Sequence, residues 1–152
     1  MRRLIVLFGS FFYCGFFPIA PATFASFIWV VAFLFIPHFV WFANPFSLLV
    51  TIPVAVYTSH KMETMYGRDA SEIVIDEFAG MQVSLLLVKP EPLVAIIAFF
   101  LFRFFDIFKP FPINRSQRIP GGFGVVLDDI LAGIYARVAL GLIFIFLKGG
   151  FR

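Results

Sequence analysis

The chain has 152 residues, of which 61% are hydrophobic and 14% charged, and its mean hydropathy is +0.98. Soluble domains are about half apolar and about a quarter charged, so this composition excludes an ordinary soluble domain and predicts an integral membrane protein. The formal charge of +3 could indicate nucleic-acid binding. However, the basic residues are scattered and form no stripe with interleaved aromatics, so we expect no nucleic-acid partner.

Six apolar segments follow one another along the chain, separated by residues that break helices. They lie at 4–17, 24–43, 46–58, 71–88, 92–108 and 127–147. About 20 helical residues cross the hydrocarbon core of a bilayer, and every segment except the first reaches or approaches that length. The first contains Gly9 and Gly15 and is followed directly by Pro18, so we expect it to re-enter or to cross half of the membrane. The sequence predicts one all-α domain over residues 1–152, a polytopic membrane helix bundle of about five spanning helices plus this N-terminal segment.

The positive-inside rule gives the bundle an orientation. The cytoplasmic side receives Arg2, Arg3, Lys61, Arg68, Lys109, Arg115 and Arg118, and the other side receives Lys89, Lys148 and Arg152. In this orientation five of the nine acidic residues lie in apolar stretches near the cytoplasmic face: Asp76, Glu77, Asp106, Asp128 and Asp129. A carboxylate that faces lipid is strongly disfavoured, so such residues mark a site. We therefore expect one polar site formed by several helices.

The first acidic motif is DASEIVIDEFAG. Asp69 followed by Glu72 is typical of a capping box, which predicts a structural role for both at a helix start. Asp76 and Glu77 come about one turn later. Adjacent helical residues point about 100° apart, so we expect only one of them to face the site centre squarely. A paired structural carboxylate is the alternative.

The second motif, RFFDIFKPFPI, places Arg103, Asp106 and Lys109 at intervals of three residues. Such residues lie on one side of a helix, and Pro110 is expected to end that helix. A mixed face of this kind fits a phosphate and a metal, because the carboxylate binds the cation while the basic groups bind phosphate oxygens. The alternatives are an intrahelical salt bridge and, for Arg103, a side chain that extends to the lipid headgroups.

The third motif is PGGFGVVLDDILAG, in which Gly121 and Gly122 precede a helix with Asp128 and Asp129 in or near its first turn. Exposed N–H groups at such a start can bind anions. Carboxylates with oxygen-only ligands suit Mg²⁺. Attraction of one aspartate to the helix dipole is the alternative.

The motifs IVIDEFAG, FRFFDIFKPFPI and PGGFGVVLDDILAG, in this order, closely resemble those of the bacterial phosphatidylglycerophosphatase A family. The segment PIAPATFAS resembles that family's proline-rich segment, with Ala22 and Ala25 where glycine is usual and Thr23 as a possible hydroxyl ligand. The resemblance implies Mg²⁺-dependent removal of the terminal phosphate of phosphatidylglycerophosphate, giving phosphatidylglycerol, a cardiolipin precursor. It also implies a multi-pass protein of the bacterial inner membrane with its active site facing the cytoplasm.

On this hypothesis the chain is a metal-assisted phosphomonoesterase. One or two Mg²⁺ ions would be held by Asp76, Glu77, Asp106, Asp128 and Asp129. Lys109 would stabilise charge on the phosphoryl group, and Thr23, Arg103, Arg118, Gly121 and Gly122 would bind substrate. The nucleophile is either an activated water or a carboxylate. Alternatives are a cation or proton transporter and a non-catalytic scaffold, and the oligomeric state stays open.

Overall fold

The computed structural model describes residues 2–149, and every regular element in that range is helical. The α-helices are α1 (Arg2–Gly9), α2 (Pro21–Phe35), α3 (Pro45–Tyr66), α4 (Ile75–Ser84), α5 (Pro92–Phe108), α6 (Ile113–Ser116) and α7 (Gly122–Gly149). Short 3-10 helices lie at Cys14–Phe16 and Phe39–Ala43. The all-α prediction is therefore confirmed for these residues. The side chain of Lys148 and the whole of Arg152, which were assigned to the outer face, lie outside the described part.

Helix α4 lies at the centre of the bundle, and all ten of its residues are buried. It packs most extensively against α7, and α2, α3 and α5 also contact it. A helix of ten residues is about 15 Å long, about half the thickness of the hydrocarbon core. The prediction of one spanning helix over 71–88 is therefore wrong. This segment is apolar because other helices enclose it.

One helix in the described residues has the length and composition to cross a membrane, the Gly122–Phe146 part of α7. Helices α5 and α2 have 17 and 15 residues, and the 22-residue α3 contains Pro53. The figure of about five spans therefore stays a prediction. Large apolar side chains nevertheless cover the outer surface of the four longest helices, where Phe35, Phe46, Phe100 and Phe146 are 66–77% exposed. Such a surface is rare on soluble monomers.

The N-terminal segment supports the start of α4. Helix α1 has eight residues, about 12 Å, so segment 4–17 contains no helix long enough to span the membrane. The carbonyl of Gly9 accepts a hydrogen bond from the N–H of Val74 at 3.0 Å. A Cβ at Gly15 would meet the backbone of Glu72. The segment therefore packs tightly on the loop that precedes α4.

Two glycines allow the backbones of α4 and α7 to touch. A Cβ at Gly133 would lie 2.5 Å from the carbonyl oxygen of Gly80, and one at Gly80 would lie 2.8 Å from the carbonyl oxygen of Asp129. Residues four apart share a helix face. Asp76 precedes Gly80 by four residues, and Asp129 precedes Gly133 by four, so the close crossing brings these two carboxylates together.

We expect Gly133→Ala to destabilise the protein, because its methyl group would force α4 and α7 apart. Overpacking of this kind costs about 1–3 kcal/mol, which exceeds the gain in helix propensity of about 1 kcal/mol. The melting temperature in detergent should fall.

The matched control is Gly141→Ala on the same helix, where the nearest atom to a new Cβ is Arg137 Nη1 at 3.9 Å. This variant should be as stable as the wild type or more stable. Equal melting temperatures for the two variants would show that the crossing is not tight.

Candidate metal and phosphate site

Five buried carboxylates meet at one place inside the bundle and form two groups. In each group three carboxylates offer oxygens that lie within 4.8 Å of one another. The first group is Asp76, Glu77 and Asp129, and the second is Asp106, Asp128 and Asp129. Asp129 belongs to both groups, and each of the five residues is at most 8% exposed. The structure thus brings the three sequence motifs together, as the topology predicted.

The start of α4 differs from the expected capping box. The helix begins at Ile75, and its N-cap residue, Val74, makes no side-chain capping hydrogen bond. Asp69 adopts a left-handed backbone (φ 51°) in the preceding loop, so the capping role predicted for Asp69 and Glu72 is wrong. Asp76 and Glu77 instead occupy the first turn of α4, where the helix dipole stabilises negative charge. Both contribute oxygens to the first carboxylate group.

The start of α7 also lies earlier than expected. The helix begins at Gly122 and has no acidic residue in its first turn. Asp128 and Asp129 therefore lie in its second turn, beyond the strongest effect of the helix dipole. Attraction to the helix dipole therefore does not explain the position of these aspartates. Their position is explained better by the other carboxylates around them.

Lys109 connects α5 to α7. It ends α5 in a left-handed backbone conformation (φ 44°), and its Nζ donates to Asp128 Oδ2 at 2.6 Å. The same Nζ lies 3.8 Å from Asp106 Oδ1. Burial alone would lower the pKa of Lys109, but the hydrogen bond to Asp128 and the charges of Asp128 and Asp106 raise it above its ordinary value. Lys109 is therefore a stable cation at the edge of the second group.

Arg103 lies beside the same group. Its Nη1 is 2.9 Å from Asp106 Oδ2, and its side chain is only 13% exposed. The contact is an ion pair without hydrogen-bond geometry, because Nε and Nη1 are buried and have no hydrogen-bond partner among the described residues. This burial argues against a side chain that extends to the lipid headgroups. Two N–H donors of Arg103 are therefore unpaired among the described residues.

The carboxylate groups fit divalent cations. Buried oxygens of Asp76, Glu77, Asp128 and Asp129 have no hydrogen-bond partner among the described residues. Among these residues the ion pairs to the five carboxylates come from Arg103 and Lys109 alone. Uncompensated buried charge is costly, and a donor set made only of oxygens suits hard cations. The site can therefore hold a metal ion in each group.

The roles of the other four residues predicted to bind substrate stay predictions. Thr23 is half-buried in the first turn of α2, and Arg118 is exposed before α7. Gly121 has a positive φ of 80°, and a Cβ at Gly122 would meet the backbone of α3. Among the hydrogen bonds and ion pairs of residues 2–149, none joins these four residues to the five carboxylates. Close helix packing therefore explains Gly122 better than anion binding.

A polar cavity beside the site was missed by the sequence reasoning. Its charged lining residues are Glu63, Arg68 and Asp69. Arg68 was predicted only to lie on the cytoplasmic side and Asp69 to cap a helix, and no role was predicted for Glu63. The only available signal was the cluster of charges directly after the long uncharged stretch that ends at His60.

Comparison with known proteins identifies relatives of the chain. The family model described as Phosphatidylglycerophosphatase A matches residues 7–144. A *Bacteroides thetaiotaomicron* protein with the provisional name phosphatidylinositol-3-phosphatase is 36% identical over 145 residues, which cover 90% of this chain and 91% of the relative. The *Escherichia coli* K12 phosphatidylglycerophosphatase A is 33% identical over 134 residues, 86% of this chain and 76% of the relative.

The *Haemophilus influenzae* phosphatidylglycerophosphatase A is 44% identical over a shorter stretch of 75 residues, 48% of this chain and 46% of the relative. No solved structure matches the chain. The relatives are named as phosphatases, and nothing in the comparisons supports the transporter alternative. The resemblance carried by the three acidic motifs is confirmed: the chain belongs to the phosphatidylglycerophosphatase A family and is a phosphatase.

Proposed function

We propose that this enzyme hydrolyses the terminal phosphomonoester of phosphatidylglycerophosphate, with Mg²⁺ as cofactor, to give phosphatidylglycerol and inorganic phosphate. The observation that carries the proposal is the pair of buried carboxylate groups that share Asp129, next to the basic residues Lys109 and Arg103. Carboxylates for cations and basic groups for phosphate oxygens are the parts that phosphoryl transfer requires. Membership of the family supports phosphatidylglycerophosphate as the lipid.

Each carboxylate group would hold one cation. Asp76, Glu77 and Asp129 form the first position, and Asp106, Asp128 and Asp129 form the second. When bound, Mg²⁺ neutralises phosphate charge and makes water more acidic. Asp129 has a distinct role in this arrangement, because both positions depend on it.

Lys109 and Arg103 would bind the phosphoryl group. A lysine ammonium has three donors, and the hydrogen bond to Asp128 occupies one of them. The Nε and Nη1 of Arg103 are buried and have no hydrogen-bond partner among the described residues, and a movement of the side chain that exposes them would let the guanidinium donate to phosphate oxygens. These donors would stabilise the negative charge of the transferring group.

The protein would work as one multi-pass domain in the bacterial inner membrane, with its site facing the cytoplasm. Exposed phenylalanines on α2, α3, α5 and α7 provide an outer surface that suits lipid. The scarcity of charge before Lys61 and the bias of basic residues favour this orientation under the positive-inside rule. Thr23, Arg118 and Gly121 would act only if the headgroup extends to them.

A second candidate substrate is phosphatidylinositol 3-phosphate, which the name of the *Bacteroides* relative favours. Both lipids carry a phosphomonoester on a polyol, so the carboxylate groups fit either. We expect a higher kcat/KM for phosphatidylglycerophosphate in a phosphate-release assay with purified protein. A higher value for the inositol lipid would reverse this assignment while keeping the metal site.

Removal of the metal should abolish turnover. We expect phosphate release from phosphatidylglycerophosphate only with Mg²⁺, and none after addition of EDTA. Asp129→Asn should lower kcat by at least about 10²-fold, and by more than Asp76→Asn, because Asp129 serves both cation positions. Glu91→Gln, an exposed carboxylate just before α5, is the matched control and should keep full activity. Turnover that persists in EDTA would refute the metal site.

Arg103→Gln should lower kcat/KM by at least about tenfold, because the phosphoryl group loses charged donors. Arg103→Lys should recover only part of the loss, since lysine lacks the planar fork. The control is Arg115→Gln, an exposed arginine stacked on Phe111 at 5.0 Å. Equal kcat/KM values for Arg103→Gln and the wild type would assign Arg103 to packing.

A further inference from the structure

The polar cavity beside the second carboxylate group has a volume of about 310 Å³, within the usual range for ligand pockets. Its lining includes Glu63, Arg68, Asp69, Gln117, Gly124 and Val125. Gly124 and Val125 each lie one helical turn, about 6 Å along the axis, before Asp128 and Asp129 on α7. Residues spaced by four share a helix face. The cavity therefore adjoins the carboxylates on the side toward the start of α7.

A second cavity of about 290 Å³ continues the first. It is lined by His60, Glu63, Thr64, Arg68, Pro120 and Gly121, so Glu63 and Arg68 line both cavities. A Cβ at Gly121 would lie 3.0 Å from His60 Nδ1, which shows how closely this wall is packed. We call the two cavities together the headgroup cavity. It extends from Gly124 and Val125, one turn before the carboxylates of α7, to the last turns of α3.

Arg68 is held in this cavity by one hydrogen bond and has further N–H donors for a ligand. Its Nη2 donates to the carbonyl oxygen of Gln117 at 3.0 Å. Glu63 and Asp69 line the same cavity, yet neither forms an ion pair with Arg68 among the described residues. Instead, Glu63 Oε1 accepts a hydrogen bond from the backbone N–H of Asp69 at 3.3 Å, which closes the loop. A guanidinium has five N–H donors that match phosphate oxygens.

The lining combines one cation with two carboxylates. Glu63 and Asp69 would repel a free phosphate dianion more strongly than a phosphodiester, whose single negative charge the guanidinium of Arg68 can balance. Carboxylates accept hydrogen bonds from hydroxyl groups, and the guanidinium binds a phosphate. Hydroxyl groups next to a phosphodiester therefore match this lining.

We propose that the headgroup cavity binds the polyol phosphodiester part of the lipid headgroup, with Arg68 on the phosphodiester and with Glu63 or Asp69 accepting a hydrogen bond from a free hydroxyl of the polyol, of which phosphatidylglycerophosphate has one. The proposal rests on the proposed function, in which the terminal phosphate lies at the carboxylates. Its neighbouring polyol and phosphodiester then extend into the adjoining cavity. Arg68 becomes a residue that determines substrate specificity without taking part in the chemical step.

Kinetics test this role. Arg68→Gln should raise the KM for phosphatidylglycerophosphate at least about tenfold and change kcat by no more than about twofold. The KM of Arg68→Lys should lie between those of Arg68→Gln and the wild type, because lysine keeps the positive charge but lacks the planar array of guanidinium donors. Arg115→Gln, an exposed arginine outside both cavities, should match the wild type. An unchanged KM in Arg68→Gln, or an equal fall of kcat in Arg68→Gln and Arg68→Lys, would overturn the proposal.

A binding measurement separates this proposal from the proposed function. Equilibrium dialysis in EDTA with radiolabelled glycerophosphoglycerol or glycerophosphoinositol requires neither metal nor turnover. We expect the wild type to bind at least one of them, and Arg68→Gln and Glu63→Gln to bind it at least about tenfold more weakly with an unchanged melting temperature. The compound that binds better identifies the polyol. If the wild type binds neither compound, the role proposed for the headgroup cavity is wrong, even where turnover is observed. If the wild type binds one of them but shows no turnover, only the proposed function is wrong.

Discussion

The crossing of α4 and α7 is the constraint on which the rest of the structure depends. Because Gly80 and Gly133 carry no side chain, the two backbones meet directly. The carboxylates one turn earlier, Asp76 and Asp129, are then within reach of the same ligand. With larger residues at the crossing, the helices would separate and the shared position of Asp129 would be lost. The function of the site therefore depends on residues that contact no ligand.

Burial of five carboxylates works against folding. A buried charge is tolerated only when it is paired, and Lys109 and Arg103 together provide fewer charges than the carboxylates carry. Bound cations would complete the compensation, so the same groups that oppose folding would also bind the metal. Because these buried charges oppose folding, α4 needs packing contacts from the surrounding helices on all sides. The N-terminal segment gives part of that support through the hydrogen bond between Gly9 and Val74.

Sequence alone could predict the convergence of the acidic motifs, because charge in an apolar segment is costly wherever the segment lies. It could not predict the short central helix. An apolar run enclosed by protein and one enclosed by lipid have the same composition, and only packing distinguishes them. The capping box predicted at Asp69 does not form for a related reason. The loop before α4 is fixed by the packing of Gly15 against Glu72 and by the hydrogen bond from the N–H of Val74 to the carbonyl of Gly9, so the helix begins only at Ile75. Likewise, Gly122 looks like an anion-binding glycine in sequence, although close packing against α3 explains it.

Discrimination between lipid substrates requires more than the carboxylate site. The reacting phosphomonoester is chemically alike in phosphatidylglycerophosphate and phosphatidylinositol 3-phosphate, so groups that contact only the phosphoryl oxygens bind both equally. Selectivity would have to arise from a difference in affinity at the polyol. Arg68 and Glu63 line the cavities beside the site, and Arg68 is held there by its hydrogen bond to the carbonyl oxygen of Gln117, 49 residues away in sequence. A contact between residues so far apart produces no recognisable motif in the sequence. The chemistry of this chain can therefore be inferred from its motifs more easily than its choice of lipid.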